Sequence, residues 1–263
     1  MPSASVLTPY LTRPNRTHTL TLLTSLLSSP STWLTHSLLT RHIDDDPNAP
    51  ILLLSLTHER AFHSDGLRKL GVPLQHLDRS GKYTFLGIAD LPLMGGGAVS
   101  DVVLGAVESA RAAGDGRGLL VVIESPDILL QTGGGSYSGV MDLVLRVLEV
   151  VMPRPASYYL LPHRLTYPTC RMSEHTIVSV NVDEALMRDE EHAAFVIGLG
   201  HVARRVFGLR GLETGVARDV SGVLRITTGG AEEGDVDGGK EVLYFVGDGG
   251  GVEVFERGEV RGR

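Results

Sequence analysis

The chain contains 263 residues, of which 42% are hydrophobic and 21% charged, and its formal net charge at pH 7 is −7. This composition allows one large domain or two small ones with a packed core, and it excludes a chain that is disordered by composition. The negative charge argues against a self-sufficient nucleic-acid binder, whose phosphate contacts need clustered Lys and Arg, although one basic edge completed by partner chains stays open. The single cysteine, Cys170, excludes a disulfide framework and a cysteine-rich zinc site.

Neither a membrane-spanning helix nor an export signal is expected from the pattern of apolar residues. No uninterrupted apolar run approaches the roughly 18 residues that a transmembrane helix needs. The first residues, MPSASVLTPY, lack the charged start and the apolar core of a signal peptide. The expectation is therefore a soluble intracellular protein.

The first part of the chain alternates apolar runs with amphipathic segments. Residues 1–16 carry three prolines and predict an irregular N-terminal arm. Short apolar runs predict strands, and the segments after them predict helices that follow capping residues. The predicted strands are His18–Ser25, Ile51–Leu56 and Tyr83–Ile88, and the predicted helices follow a cap at Ser31 or Thr32, span 58–71, and follow a cap at Ser100 or Asp101.

The strand around which we expect the rest of the sheet to form is Leu119–Ile123. These residues are a continuous apolar run, bounded by Gly118 and Pro126. Such a run is typical of a strand buried on both faces of a parallel sheet. It ends at Glu124, which places a carboxylate at the carboxyl edge, where open α/β sheets bind their ligands.

The second part of the chain ends in strands without intervening helices. The predicted elements are a helix over 138–152 stopped by Pro153, an exposed loop over 153–173, a strand at Glu174–Val182, a helix over Asp189–Phe207, and antiparallel strands at Gly222–Thr227, Glu241–Val246 and Val252–Phe255. Alternating strands and helices followed by strands alone predict an α/β fold, with a mostly parallel sheet and an antiparallel C-terminal edge. We expect residues 17–263 to form a single domain.

A phosphate-binding loop is not predicted after the first strand. A nucleotide-binding domain of this layout places G-x-x-x-x-G-K-[ST] there, because backbone N–H groups cradle the phosphates and the lysine reaches the terminal ones. Residues 25–32 read SLLSSPST, without glycine or lysine, and Pro30 removes one N–H donor. Hence we expect no working phosphate loop.

Carboxylates at the end of the central strand leave two interpretations open. Glu124 and Asp127 stand where a nucleotide-binding domain holds Mg²⁺, directly or through water. The other interpretation is that Glu124 caps the following turn or pairs with a neighbour. Without a phosphate loop the second is favoured.

Other local patterns do not reach the spacing that a catalytic, cofactor or metal site requires. The glycine runs Gly95–Gly97 and Gly133–Gly135 do not form G-x-G-x-x-G after a buried first strand, and the residue at the centre of Gly135–Gly139 is tyrosine rather than serine. His58-Glu59 and His63 form H-E-x-x-x-H, which is one residue too long for a zinc-protease helix. Five residues along a helix turn two rings apart by about 140°. We therefore expect no catalytic residue, cofactor or metal.

A group of arginines is the candidate contact for RNA. Arg204, Arg205 and Arg210 are predicted at the end of the long helix, and Arg218 follows closely. A positive charge at a helix C-terminus is also favourable through the helix dipole alone, so this interpretation remains beside the RNA one.

Four segments, in order along the chain, resemble one family. They are SLTHERAFHSDGLRKLGV (55–72), GKYTFLGIADL (81–91), LLVVIESPDILLQTGG (119–134) and LRGLETGVARDVSGVLRIT (209–227). They are similar to the second strand and helix, the next strand, the degenerate Walker-B-like strand, and the run into an antiparallel strand of Elongator complex protein 6. The fifth Elongator subunit is a close structural relative and the main alternative. The segment 229–263 has no match.

The resemblance implies a RecA-like fold, of the P-loop-NTPase type, without a functional Walker A motif. It further implies a heterohexameric ring containing two copies each of the fourth, fifth and sixth Elongator subunits. This ring binds tRNA within a complex that modifies wobble uridines, and the catalytic chemistry lies in another subunit. The implied partners are the other Elongator subunits and tRNA, no membrane is involved, and the location is the cytoplasm, with the nucleus as a second one.

The expected function is therefore that of a non-catalytic ring subunit. One alternative from another class is an active P-loop-like ATPase or kinase that uses a non-standard phosphate loop, with Glu124 as metal ligand; another is a ligand-binding domain that acts without partners, which monomeric behaviour of the purified chain would favour. The missing glycine and lysine between Ser25 and Thr32 argue against the ATPase or kinase.

Overall fold

A computed structural model describes residues 6–11, 19–92, 96–132, 135–151, 175–213, 215, 217–231, 239–247 and 249–256. The predicted exposed loop 153–173, with Pro153 and Cys170, lies outside these residues, as do residues 232–238 between the predicted strands Gly222–Thr227 and Glu241–Val246.

One sheet runs through the whole described part of the chain. Its nine strands are β1 (Thr19–Ser25), β2 (Ile51–Ser55), β3 (Tyr83–Gly87), β4 (Leu120–Glu124), β5 (His175–Asn181), β6 (Arg205–Arg210), β7 (Gly222–Thr228), β8 (Lys240–Val246) and β9 (Val252–Phe255). The order across the sheet is β3-β2-β4-β5-β1-β6-β7-β8-β9. The six neighbouring strands β3, β2, β4, β5, β1 and β6 pair in parallel. Strands β7, β8 and β9 extend the sheet with antiparallel pairing. The predicted α/β class with its antiparallel edge is confirmed.

Helices cover both faces of the sheet. They are α1 (Thr8–Leu11), α2 (Thr32–Asp45), α3 (Arg60–Lys69), α4 (Gln75–Arg79), α5 (Gly96–Ala113), α6 (Ile128–Gln131), α7 (Tyr137–Val151), α8 (Glu184–Met187) and α9 (Glu190–Val202). The helix α5 begins at Gly96, so the prediction of a cap at Ser100 or Asp101 is wrong. In the described part of the chain no helix combines the length and the apolar character needed to cross a bilayer.

The central strand β4 divides its side chains between two apolar layers. Val121 and Ile123 pack into the layer formed with α5, α7 and α9. Leu120 and Val122 pack into the layer formed with α2, α3 and α4. Successive residues of a strand point to opposite faces, so a run that is apolar at every position is buried on both sides. The prediction for this strand is confirmed.

The predicted helix over Asp189–Phe207 is wrong in its last five residues, 203–207. Helix α9 ends at Val202, and the next residue, Ala203, is extended and fully buried. The chain then forms β6, which pairs in parallel with β1 and antiparallel with β7. Helical spacing continues through Val206, but β1 needs a hydrogen-bonded neighbour on its open side, and this tertiary pairing outweighs the local pattern.

The N-terminal segment predicted as an irregular arm includes one turn of helix, α1. Leu7, just before it, is buried in the layer that contains α2. The remaining residues of this segment, 1–5 and 12–16, lie outside the described residues.

Candidate functional site

The carboxyl end of β4 carries a buried carboxylate because of the alternation along the strand. Glu124 follows Leu120 and Val122 on the face covered by α2 and α3. Its register partner on β2 is Ser55, which follows Ile51 and Leu53 on the same face. On this face, the last residue of each of these two neighbouring strands is therefore polar, whereas the residues before it are apolar. Glu124 is only 4% exposed, so its charge must be balanced by protein groups.

Three side chains meet at a single oxygen of Glu124. Ser55 Oγ donates a hydrogen bond to Glu124 Oε2. His58 Nδ1 and His63 Nε2 each lie 3.2 Å from the same Oε2. We call Ser55, His58, His63 and Glu124, together with His36, the His/Glu cluster. Its members come from β2, β4, α2, α3 and the turn before α3, so the fold rather than one local motif assembles it.

The argument from sequence that His58 and His63 diverge is wrong. It assumed that both residues lie on one helix, but α3 begins at Arg60, and His58 lies in the preceding turn. The backbone N–H of His58 donates to Ser55 Oγ over 3.0 Å, which fixes this turn against the end of β2. The His58 ring also stacks on Phe62, with 4.1 Å between ring centroids. The two imidazoles therefore converge on Glu124.

His36 of α2 completes the cluster from the other side. Its Nε2 lies 3.1 Å from His63 Nδ1, within hydrogen-bond distance. The two helices approach closely here because residue 66 of α3 is glycine, and a Cβ at Gly66 would collide with the His36 ring. The glycine lies inside a helix, where it is intrinsically unfavourable, so its role is to admit the imidazole.

The electrostatics of the cluster favour an ionised carboxylate beside a neutral imidazole. Burial opposes the charge of Glu124, but the close approach of His63 and the hydrogen bond from Ser55 outweigh it and lower the pKa of Glu124 to about 2. Burial, together with the positive charge that His63 carries when protonated, lowers the pKa of His36 to about 4. At neutral pH the cluster therefore presents a carboxylate and a neutral His36.

A cavity of about 600 Å³ adjoins the cluster. It lies between the turn after β1, α2, α3 and the strands β8 and β9, and its walls include Ser29, Trp33, His36, His58, Lys69 and Tyr244. A volume of this size holds a small organic ligand. Because His36 and His58 belong to both the cluster and the cavity wall, the cluster is accessible from this cavity.

The loop after β1 is closed by contacts of its own. Leu26 and Ser29 form an isolated antiparallel bridge, so the chain folds back on itself between β1 and α2. The backbone N–H of Leu27 points at the carboxylate of Asp183 and lies 3.0 Å from Oδ2. Asp183 follows β5, the neighbour of β1, at the same edge of the sheet. The carboxylate of Asp183 therefore accepts a hydrogen bond from one backbone N–H group of the segment where a phosphate-binding loop would lie.

Asp127, the second carboxylate considered from the sequence, lies apart from the His/Glu cluster. It is 1% exposed and precedes α6. Burial raises the pKa of Asp127 against the smaller opposing effects of its own backbone N–H, His192 and Asn181. Among the described residues, the side chains close enough together to hold one metal ion are those of His58, His63 and Glu124. Asp127 is not one of them, so the two carboxylates do not form a shared site.

The arginines predicted as a tRNA-contact group are not at a helix end. Arg204 lies between α9 and β6, Arg205 begins β6, and Arg210 ends it. Five residues of strand separate Arg205 from Arg210 by about 17 Å. Arg210 is also paired with Glu213 and Glu241, at 3.0 and 3.3 Å. Arg218 is exposed in the connection to β7, so the four residues do not form one patch.

Sequence reasoning missed four of the five members of the cluster: Ser55, His36, and both His58 and His63 as partners of Glu124. Ser55 is the polar residue within the predicted strand Ile51–Leu56, but that this strand pairs with β4 and places Ser55 opposite Glu124 is seen only in the structure. No signal marked His36, because its contact depends on how α2 packs against α3 at Gly66.

Comparison with known proteins supports the fold alone. No protein-family model matches the chain, and no curated protein sequence matches it. Among solved structures, it is similar to a KaiC-like protein from the hyperthermophilic archaeon Pyrococcus horikoshii OT3. The two share 14% sequence identity with a TM-score of 0.55, covering 91% of this chain and 90% of that one. The chain therefore has a RecA-like fold, as the resemblance implied.

Proposed function

We propose that the chain is a non-catalytic RecA-like subunit of the heterohexameric Elongator ring, in the position of the sixth subunit. In this role it supports tRNA binding and wobble-uridine modification, together with the fourth and fifth subunits. It contributes surfaces rather than a nucleotide-hydrolysing site. In a closed ring each copy presents two different faces to its neighbours.

The observation that carries the proposal is the loop between β1 and α2. Residues 26–31 contain neither glycine nor lysine, and Pro30 has no N–H to offer. The N–H of Leu27 is taken by Asp183, whose negative charge repels a phosphate at this position. A fold that elsewhere cradles phosphates here directs a carboxylate at its own loop.

The partners of Glu124 give a second line of support. A metal ligand for nucleotide hydrolysis would have to face the loop after β1, on the far side of β5 from β4. Glu124 instead turns towards β2 and contacts Ser55, His58 and His63. Its closest partners therefore come from β2 and α3.

For tRNA, we propose separate contributions of basic residues to a site shared between subunits. Arg204 and Arg205 lie at one end of β6, whereas Arg210 and Arg218 lie at or beyond the other. Arg218 is exposed and is the strongest of the four candidates, while Arg210 is already paired with glutamates. Contacts of this kind position tRNA through its phosphates without reading its sequence.

The test is assembly. The chain is produced alone and together with the fourth and fifth Elongator subunits, and the mass of each preparation is measured by light scattering. We expect a hexamer only when all three are present. A monomer that ignores both partners and hydrolyses ATP, with the activity lost in Glu124→Gln, would overturn the proposal in favour of an ATPase or kinase.

The assembled ring also tests the arginine assignment. Arg218→Ala should weaken tRNA binding by severalfold. It should also reduce the magnitude of the slope of log K against log salt concentration by about 1, which corresponds to the loss of one phosphate contact. Arg79→Ala is the matched control, because Arg79 is exposed on α4 beside β3, at the opposite edge of the sheet. Equal effects of the two substitutions would remove Arg218 from the tRNA site.

A further inference from the structure

We infer that His58, His63 and Glu124 bind a divalent transition-metal ion of the zinc class. Each residue offers one ligand atom, and these atoms all lie within 4.8 Å of one another. The inference concerns the His/Glu cluster alone and does not depend on the proposed ring.

The separations within the cluster match those around a four-coordinate ion. Ligand atoms about 2.0–2.1 Å from a tetrahedral zinc lie about 3.3 Å from each other. Glu124 Oε2 lies 3.2 Å from His58 Nδ1 and 3.2 Å from His63 Nε2. Two edges of the required polyhedron are therefore already formed by the protein.

His63 supplies the observation that points independently to a ligand. Its ring is fully buried, and within the described part of the chain its Nε2 makes no hydrogen bond. This atom faces Glu124 Oε2 without the alignment of a hydrogen bond. A buried nitrogen that makes no hydrogen bond is costly, whereas a cation between it and the carboxylate would satisfy both atoms.

The surroundings of the three residues resemble those that orient metal ligands. A ligating histidine almost always engages its second ring nitrogen, which fixes the tautomer and the orientation of the ring. His63 Nδ1 lies 3.1 Å from His36 Nε2, so a hydrogen bond from His63 Nδ1 to His36 would leave the lone pair of His63 Nε2 directed at the ion. Ser55 likewise hydrogen-bonds the ligating carboxylate.

The choice of metal follows from the ligand atoms. Two imidazole nitrogens and one carboxylate oxygen suit Zn²⁺, Co²⁺ or Ni²⁺, whereas Mg²⁺ and Ca²⁺ prefer oxygen ligands alone. His58 also provides a route of entry, since its side chain is 34% exposed and lines the 600 Å³ cavity. A position left open on the ion would face that cavity.

The experiment is a metal titration of the full chain. Purified protein is stripped with a chelator, dialysed, and titrated with Zn²⁺ against a chromophoric competitor. We expect saturation at one ion per chain, a higher melting temperature with Zn²⁺, and a Co²⁺ complex whose visible absorption has the intensity of four-coordinate cobalt.

Variants then assign the site. His58→Ala and Glu124→Gln should each weaken Zn²⁺ binding by at least tenfold and abolish the melting-temperature shift. His201→Ala is the matched control, because His201 is exposed at the end of α9 and should leave the affinity unchanged. Circular dichroism shows which variants fold, and the Co²⁺ spectrum tests the wild-type chain without any substitution.

Two results would overturn the inference. One is the absence of saturable Zn²⁺ binding to the wild-type chain, together with an octahedral, weakly absorbing Co²⁺ spectrum. The other is tight binding that the folded His58→Ala and Glu124→Gln proteins retain at the wild-type affinity, because the ion would then lie elsewhere.

Discussion

The two faces of the sheet are alike along most of β4 and differ at its carboxyl end. On the face covered by α5, α7 and α9, apolar side chains such as Val140 and Phe195 fill the layer. On the face covered by α2, α3 and α4, the apolar layer gives way to Ser55, His63 and Glu124 and then to a cavity.

The difference places an apolar layer and a buried polar cluster on opposite sides of one strand. Burying a carboxylate and imidazoles is unfavourable unless each finds a partner, so the polar face must be assembled with precision. The apolar face needs only volume and shape. Substitutions on the apolar face should therefore mainly change the free energy of unfolding. Substitutions on the polar face should mainly change ligand binding.

The largest effect is expected on the apolar face. Phe195 is fully buried, and Phe195→Ala should lower the free energy of unfolding by about 3–5 kcal/mol, since it removes a large side chain and leaves a cavity. Phe62→Ala is the counterpart on the polar face. Phe62 is 45% exposed, so its loss should cost about 1 kcal/mol or less. Urea denaturation measures both changes.

The two phenylalanine variants should also separate in metal binding. Phe62 stacks on His58, so Phe62→Ala should weaken Zn²⁺ binding, whereas Phe195→Ala should leave it unchanged in the folded protein. Equal losses of stability from the two variants would contradict the division of roles between the faces.

An intermediate effect is expected where α2 and α3 meet. Gly66→Ala should destabilise the protein by about 1–3 kcal/mol, because the added methyl group collides with His36 and the helices must shift. Gly105→Ala is the control, since Gly105 lies in α5 and an added Cβ would meet no atom within 4 Å. That change should stabilise by about 0.5–1 kcal/mol through helix propensity.

Thermal denaturation of the two glycine variants gives the comparison directly. If Gly66→Ala were as stabilising as Gly105→Ala, then helix propensity alone would govern both positions. That result would contradict the conclusion that His36 packs too closely against α3 to allow a side chain at residue 66.

Most of the sheet could be predicted from the sequence because its strands are short apolar runs between turn residues. Every strand except β6 was predicted to within two residues at each end. Strand β6 follows a helix after only a short connection and continues its spacing through Val206, so no local signal separated the two. Its identity depends on pairing with β1, which is a long-range contact.

The candidate site was predictable only in part, for a related reason. Glu124 could be placed at the sheet edge, because the end of a buried strand is visible in the sequence. His58 could not be assigned, since moving the start of α3 by two residues turns a diverging pair of histidines into a converging one. The ends of helices are the boundaries that a sequence pattern locates least precisely. Here the start of α3 determines whether His58 and His63 can approach the same carboxylate.

The smallest effect concerns Asp127, the polar exception near the apolar face. Burial raises its pKa in the folded protein, so its ionisation opposes folding. Asp127→Asn should therefore be slightly more stable than the wild type at neutral pH. The advantage should vanish below the pKa of the unfolded chain, near 3.8, and reach its full size above the raised pKa of the folded one.

The difference in melting temperature between the two proteins, measured from pH 3 to 7, isolates this residue because other carboxylates affect both alike. A difference that stays constant with pH would mean that the pKa of Asp127 is not raised. A less stable Asp127→Asn protein at pH 7 would mean that the charge is held favourably by Asn181 and His192, which also act on it. In that case both faces of the sheet would use their buried carboxylates as ions, and Glu124 would be set apart by its imidazole partners rather than by its charge.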